Sequence, residues 1–123
     1  MHYTCGIILA IVFQCAHVME PNEFKSPNKD RVIKRNWFEH QLNTTCNFAM
    51  NSRILSWFIG GLNFQIEHHL FPNICHVHYK KLSKIVQSTA KDFGVPYKSY
   101  KNMFIAVHHH YKFLKYLGSL KIV

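Results

Sequence analysis

Before Glu20 the chain has no lysine, arginine, aspartate or glutamate, and all 15 basic residues lie at Lys25 or beyond. Its four cysteines, Cys5, Cys15, Cys46 and Cys75, form no C-x-x-C pair. That excludes a zinc ribbon and a thioredoxin-like site, and leaves them as reduced, partly buried thiols. There is no internal repeat, no low-complexity tract, and no helix-turn-helix, RNA-recognition or zinc-finger signature. The net charge of +9 therefore suits the anionic face of a membrane and points to no nucleic acid. With 48% hydrophobic and 15% aromatic residues the chain is too apolar for a disordered tail. Its 123 residues suffice for one modest domain.

The uncharged opening holds the apolar run Cys5 to Phe13. A secretory signal peptide fits it poorly, because no basic region precedes the run and no small-x-small cleavage site follows. Residues 1–19 are expected to be a transmembrane helix, although about 20 apolar residues are needed to span. The basic surplus downstream then puts the remainder on the cytosolic side.

Beyond this opening the punctuation predicts an all-α chain. Residues 20–36, with two prolines and several Asn and Lys, read as a loop. Residues 37–123 read as a helical region. Asn36 is placed to cap a helix starting at Trp37. Asn51 or Ser52 is placed to cap another running toward Leu70, bent at Gly60-Gly61 and stopped by Pro72. From Tyr79 the apolar positions Tyr79, Leu82, Ile85, Val86 and Phe93 follow helical spacing up to a Gly94 cap. A last helix, from about Asn102 to Leu117, carries Met103, Val107, Tyr111, Leu114 and Leu117 on one side.

Among ten histidines, the informative ones lie in Gln65-Ile66-Glu67-His68-His69. On a helix, positions i, i+3 and i+4 share a face, so Gln65, His68 and His69 can converge. Two neutral imidazoles there can hold one metal or bridge a cluster. Spacing alone favours a surface His-His pair over a metal site. Cys75-His76-Val77-His78 has no second pair to complete a zinc site. His40 reads as a surface ring or as a support beside a site, and His108-His109-His110 as a solvated stretch.

The run from Gly60 to Pro72, Gly-Gly-Leu-Asn-Phe-Gln-Ile-Glu-His-His-Leu-Phe-Pro, closely resembles the third histidine box, Q-x-x-H-H, of front-end fatty acyl desaturases. Gln14-Cys15-Ala16-His17 resembles the Q-x-x-H segment at the end of that family's last spanning helix. Trp37-Phe38, Gln41-Leu42, Thr44 to Asn47, and Phe93 to Tyr97 extend the likeness over roughly residues 10–100.

The resemblance implies an integral membrane enzyme of lipid metabolism that inserts a cis double bond into an acyl chain, carried on CoA or on a lipid. It implies O2 activated at two iron ions, with electrons from a cytochrome b5 or ferredoxin donor. His17, His68 and His69 would be iron ligands, and Gln65 a weak ligand or a support beside the irons. The family's earlier boxes, H-x-x-x-H and H-x-x-H-H, and the H-P-G-G heme motif do not occur here. The chain is thus expected to be the C-terminal part of such an enzyme, inactive without its amino-terminal part. Two alternatives stay open: a hydroxylase, acetylenase or sphingolipid desaturase on the same scaffold, and a basic membrane-anchored module without metal.

Overall fold

The computed structural model describes residues 1–19 and 36–120. The expected loop at 20–36 therefore lies, apart from Asn36, outside the described residues. The architecture is all-α: α1 (His2–His17), α2 (Trp37–Thr44), α3 (Arg53–Phe58), α4 (Gln65–Leu70), α5 (Tyr79–Asp92) and α6 (Met103–Ser119). Two short strands, β1 (Asn47–Phe48) and β2 (Ser99–Tyr100), pair in parallel, Asn47 opposite Ser99.

Among the described residues, side-chain caps from the preceding residue set three of the six helix starts. The Asn36 side chain accepts from the Phe38 N–H, Ser52 from Leu55, and Asn102 from Ile105, each satisfying a first-turn donor that the helix itself leaves open. The helix expected from Ser52 to Leu70 is two helices. Gly60 and Gly61 adopt φ of 61° and 75°, a left-handed conformation that ends α3 and that glycine adopts without steric cost. The turn is also tight, since a Cβ on Gly61 would stand 2.7 Å from the His76 Cβ. Gly94 at φ 66° closes α5 as expected, with Val95 N–H donating to the Ala90 carbonyl at 2.8 Å.

Two small cores result. One gathers Val12, Cys15, Ala16, Met19, Phe48, Ala49 and Ala106; the other gathers Leu42, Ile66, Leu70, Val86 and Ala90. Segment 46–49 runs beside both. Cys46 N–H donates to Ala16 at the end of α1, Phe48 to Asn63 ahead of α4, and Asn47 and Ala49 to Lys98 and Tyr100. The end of α1 and the start of α4 are thereby tied to one extended strand.

Two helix faces differ from expectation. The buried stripe of α5 is Tyr79, Ser83, Val86 and Ala90, leaving Ile85 and Phe93 exposed. On α6, Ala106 is buried and Met103 packs on the core, while Val107, Tyr111, Leu114 and Leu117 face outward. Spacing identifies residues that share a face; it does not say which face meets the core. Among the described residues no helix is long and apolar enough to cross a membrane. The 16 residues of α1 rise about 24 Å, short of the ~30 Å hydrocarbon layer.

Candidate functional site

The ends of α1 and α4 meet. His17, last residue of α1, and His69, near the end of α4, place their Nε2 atoms 3.3 Å apart with rings nearly perpendicular. His17 also bonds the backbone of Thr44. His68 sits 5.7 Å from His69, centroid to centroid, and its Nδ1 lies 3.3 Å from the Tyr79 hydroxyl. That contact leaves the His68 Nε2 as the nitrogen open to a ligand. Both box histidines are half-buried. Burial, reinforced by the neighbouring rings of His17 and His68, holds the His69 pKa down at about 4. Its ring is therefore neutral at pH 7, the form that ligates metal.

Gln65 is fully buried, and both its side-chain oxygen and its nitrogen lack a hydrogen-bond partner among the described residues. An unsatisfied buried amide costs about 1–3 kcal/mol, so the side chain is poised for a partner that protein atoms do not supply. Two nitrogens bound to one metal at about 2.0–2.1 Å stand about 3 Å apart, close to the His17–His69 separation. The neutral rings, that spacing and the open amide fit part of an iron centre. Among the described residues no group of three or more His, Cys, Asp or Glu side chains is placed to hold a metal ion. The geometry brings His17 and His69 together, with His68 one ring away and Gln65 on the same short helix.

Beside the histidines lies a buried cluster that sequence reasoning missed. Glu67 is fully buried; its two carboxylate oxygens accept from Asn47 Nδ2 and from the Tyr97 hydroxyl, each at 2.8 Å. Asn47 Nδ2 also donates to Tyr97 at 2.7 Å, and its Oδ1 accepts from the Ile66 N–H at 2.9 Å. Phe64 offers no side-chain cap to α4, so Asn47 caps it from 19 residues away in the chain. Burial pushes the Glu67 pKa upward against the lowering effect of these bonds. It also raises Tyr97, followed by the effect of the adjacent carboxylate. A six-residue helix cannot hold its own orientation. This cluster sets the rotation of α4, and with it the directions of His68 and His69. The only sequence signal was an acidic residue between apolar and histidine positions.

The remaining candidates separate. His40 is half-buried, and its backbone carbonyl accepts from the Thr44 hydroxyl. Cys75, His76 and His78 are exposed, with Cys75 Sγ 4.0 Å from its neighbour's Nδ1. Of the tract expected to be solvated, His108 is exposed. His109 packs 4.9 Å from Tyr100, and His110 Nδ1 lies 2.7 Å from the Val18 carbonyl.

Residues 1–101 match the model of the family described as fatty acid desaturase. The chain is 42% identical over 118 residues to the sn-1 linoleoyl-lipid 6-desaturase of Synechocystis sp., covering 95% of this chain and 33% of that protein. It is 42% identical to the enzyme of the same name from Arthrospira platensis, covering 94% and 31%. To the acyl-lipid (8-3)-desaturase of Physcomitrium patens it is 43% identical, covering 92% and 23%. The chain thus spans a third or less of these relatives. No solved structure matches it.

Proposed function

The chain belongs to the fatty acid desaturase family, a family of membrane-associated, iron-dependent and O2-using enzymes, and on that footing we propose that it supplies part of the di-iron centre of a front-end acyl desaturase. The observation that carries this reading is the 3.3 Å approach of His17 and His69 Nε2, made by residues that the resemblance assigns as ligands. His17, His69 and, through its Nε2, His68 would hold iron, and Gln65 would complete or support the set. Iron, when bound, supplies the O2 chemistry needed to break an unactivated C–H bond, which side chains do not supply.

The chain's own residues do the holding. Tyr79 orients His68, the backbone of Thr44 orients His17, and the Asn47–Glu67–Tyr97 cluster fixes α4. Such supports commonly change metal affinity 10–100-fold. The substrate is an acyl chain. The relatives' names, linoleoyl-lipid and acyl-lipid desaturases, favour a lipid-bound acyl group over acyl-CoA; the proposed product carries a cis double bond. Electrons come from a cytochrome b5-type or ferredoxin-type protein. The remaining ligands come from the part of the enzyme that carries the other histidine boxes. The exposed apolar residues of α1, Ile7, Ile8, Leu9, Ile11 and Phe13, face lipid, and the basic helices lie on the cytosolic side.

The test is co-expression of this chain with the amino-terminal portion of a front-end desaturase, followed by mass-spectrometric location of new double bonds. A new cis bond on the carboxyl side of an existing one is expected. A hydroxylated product, or no product from an iron-loaded assembly, contradicts the proposal.

A further inference from the structure

His108-His109-His110 has no part in the ligand set, and it lies beyond the 1–101 stretch that the family model covers. Yet of the three rings α6 leaves only His108 exposed: His109 packs on Tyr100, and His110 turns toward α1. Met103, Ala106 and His110 recur at helical spacing, on one face. Met103 and Ala106 pack into the core formed by Val12, Cys15, Ala16 and Met19. His110, next along that stripe, is half-buried, with Nδ1 2.7 Å from the Val18 carbonyl. A carbonyl only accepts, so Nδ1 is the protonated nitrogen of that ring.

Val18 is where α1 stops, its φ of −101° and ψ of 75° leaving the helical region. A helix end leaves its last carbonyls without intrahelical partners, and a histidine donor is a favourable partner there. The immediately preceding residue is His17, whose Nε2 faces His69 at 3.3 Å. The bond joins segments 92 residues apart in the chain. It pins the backbone one residue from a ring whose placement matters to within about 0.5 Å if it is to ligate metal.

We propose that His110 is a positioning residue: by anchoring the Val18 carbonyl it fixes the exit of α1 and holds the His17 ring against His69. The inference rests on the reading of His17 as an iron ligand. The donor, not the imidazole as such, is what the geometry uses. An Asn side chain at this position can place its Nδ2 near the site of the His Nδ1, whereas Leu fills similar space with no donor.

The experiment uses the 123-residue chain in detergent micelles, as wild type, His110→Leu, His110→Asn and, as a control on the exposed neighbour, His108→Leu. Two quantities are read: the nuclear Overhauser contact between the His17 and His69 rings, and the affinity for Co(II) as a probe metal. His110→Leu should lose most of the ring contact and bind Co(II) at least about tenfold more weakly. His110→Asn and His108→Leu should keep both. An undiminished His17–His69 contact in His110→Leu overturns the proposal, and so does loss of that contact in a folded His110→Asn. If the wild type binds no cobalt, the metal reading fails for the isolated chain, and the ring contact alone decides the positioning role.

Discussion

At His69, burial and two neighbouring rings keep the imidazole neutral, and its Nε2 already faces that of His17. In the reassembled enzyme, His68→Ala and His69→Ala should each abolish desaturation in a product assay. Retained turnover in both would refute the ligand assignment. Tyr97→Phe tests the cluster beneath them. It deletes the donor to Glu67 and the acceptor of Asn47, leaving buried groups underpartnered at about 1–3 kcal/mol. A chemical-denaturation midpoint unchanged from wild type would contradict that cost.

The thiols divide by burial. Cys5 and Cys75 are exposed, while Cys15 and Cys46 are buried. Burial pushes Cys46 from an ordinary 9.0 up to about 12. Its raised pKa adds stability fully present below pH 9 and lost as pH rises toward 12. Alkylation mapped by mass spectrometry at pH 9 should therefore modify Cys5 and Cys75 and spare Cys46 until denaturant is added. Rapid labelling of Cys46 in the folded chain would contradict its placement. At this scale the sequence was legible where spacing speaks: Gln65, His68 and His69 do share a short helix. It did not show what Tyr79, Asn47, Tyr97 and His110 touch, because their partners lie 11 to 92 residues away in the chain.

Among the elements, the glycine pair between α3 and α4 is the sharpest test of the local fold. Both glycines have positive φ, but their surroundings differ. A Cβ on Gly60 meets nothing within 4 Å, whereas one on Gly61 meets His76 at 2.7 Å. Gly60→Ala should cost about 1 kcal/mol, the strain of a left-handed alanine. Gly61→Ala should cost distinctly more, because the His76 backbone segment must also shift. Equal melting temperatures for the two variants would show that the close approach is absent. Caps and stops were readable from Asn36, Ser52, Asn102, Pro72 and Gly94, but the helix count was not, since the one helix expected from Ser52 to Leu70 is two. The break at 59–64 was readable only as a weak point, since two glycines permit a bend or a full separation and tertiary contact decides. The faces of α5 and α6 were misjudged for a related reason. Ile85 and Phe93 belong to the rim of an apolar groove of about 390 Å³ shared with Phe38, Leu42 and Phe71, not to the core.

For the whole molecule, the exposed apolar surface is the dominant fact. The first ten residues of α1 are all exposed. With Phe58, Ile59 and Leu62 this helix borders an apolar cavity of about 590 Å³, while Trp57 is 82% exposed nearby. Soluble monomers seldom leave so much contiguous apolar surface open, and the relatives are at least three times longer than the matched stretch. Lipid and the remainder of the enzyme are the covers that the account assigns to it. Expressed alone, the chain should stay with the membrane pellet through carbonate extraction, and release into the supernatant would oppose a lipid-facing α1. The central claim is that His17 and His69 meet around iron. Its most direct measurement is the iron-to-polypeptide ratio of the reassembled enzyme with wild-type, His69→Ala and His108→Ala chains. The account predicts a clear loss of iron in His69→Ala and full loading in His108→Ala. A His69→Ala assembly that keeps its whole complement of iron would contradict it.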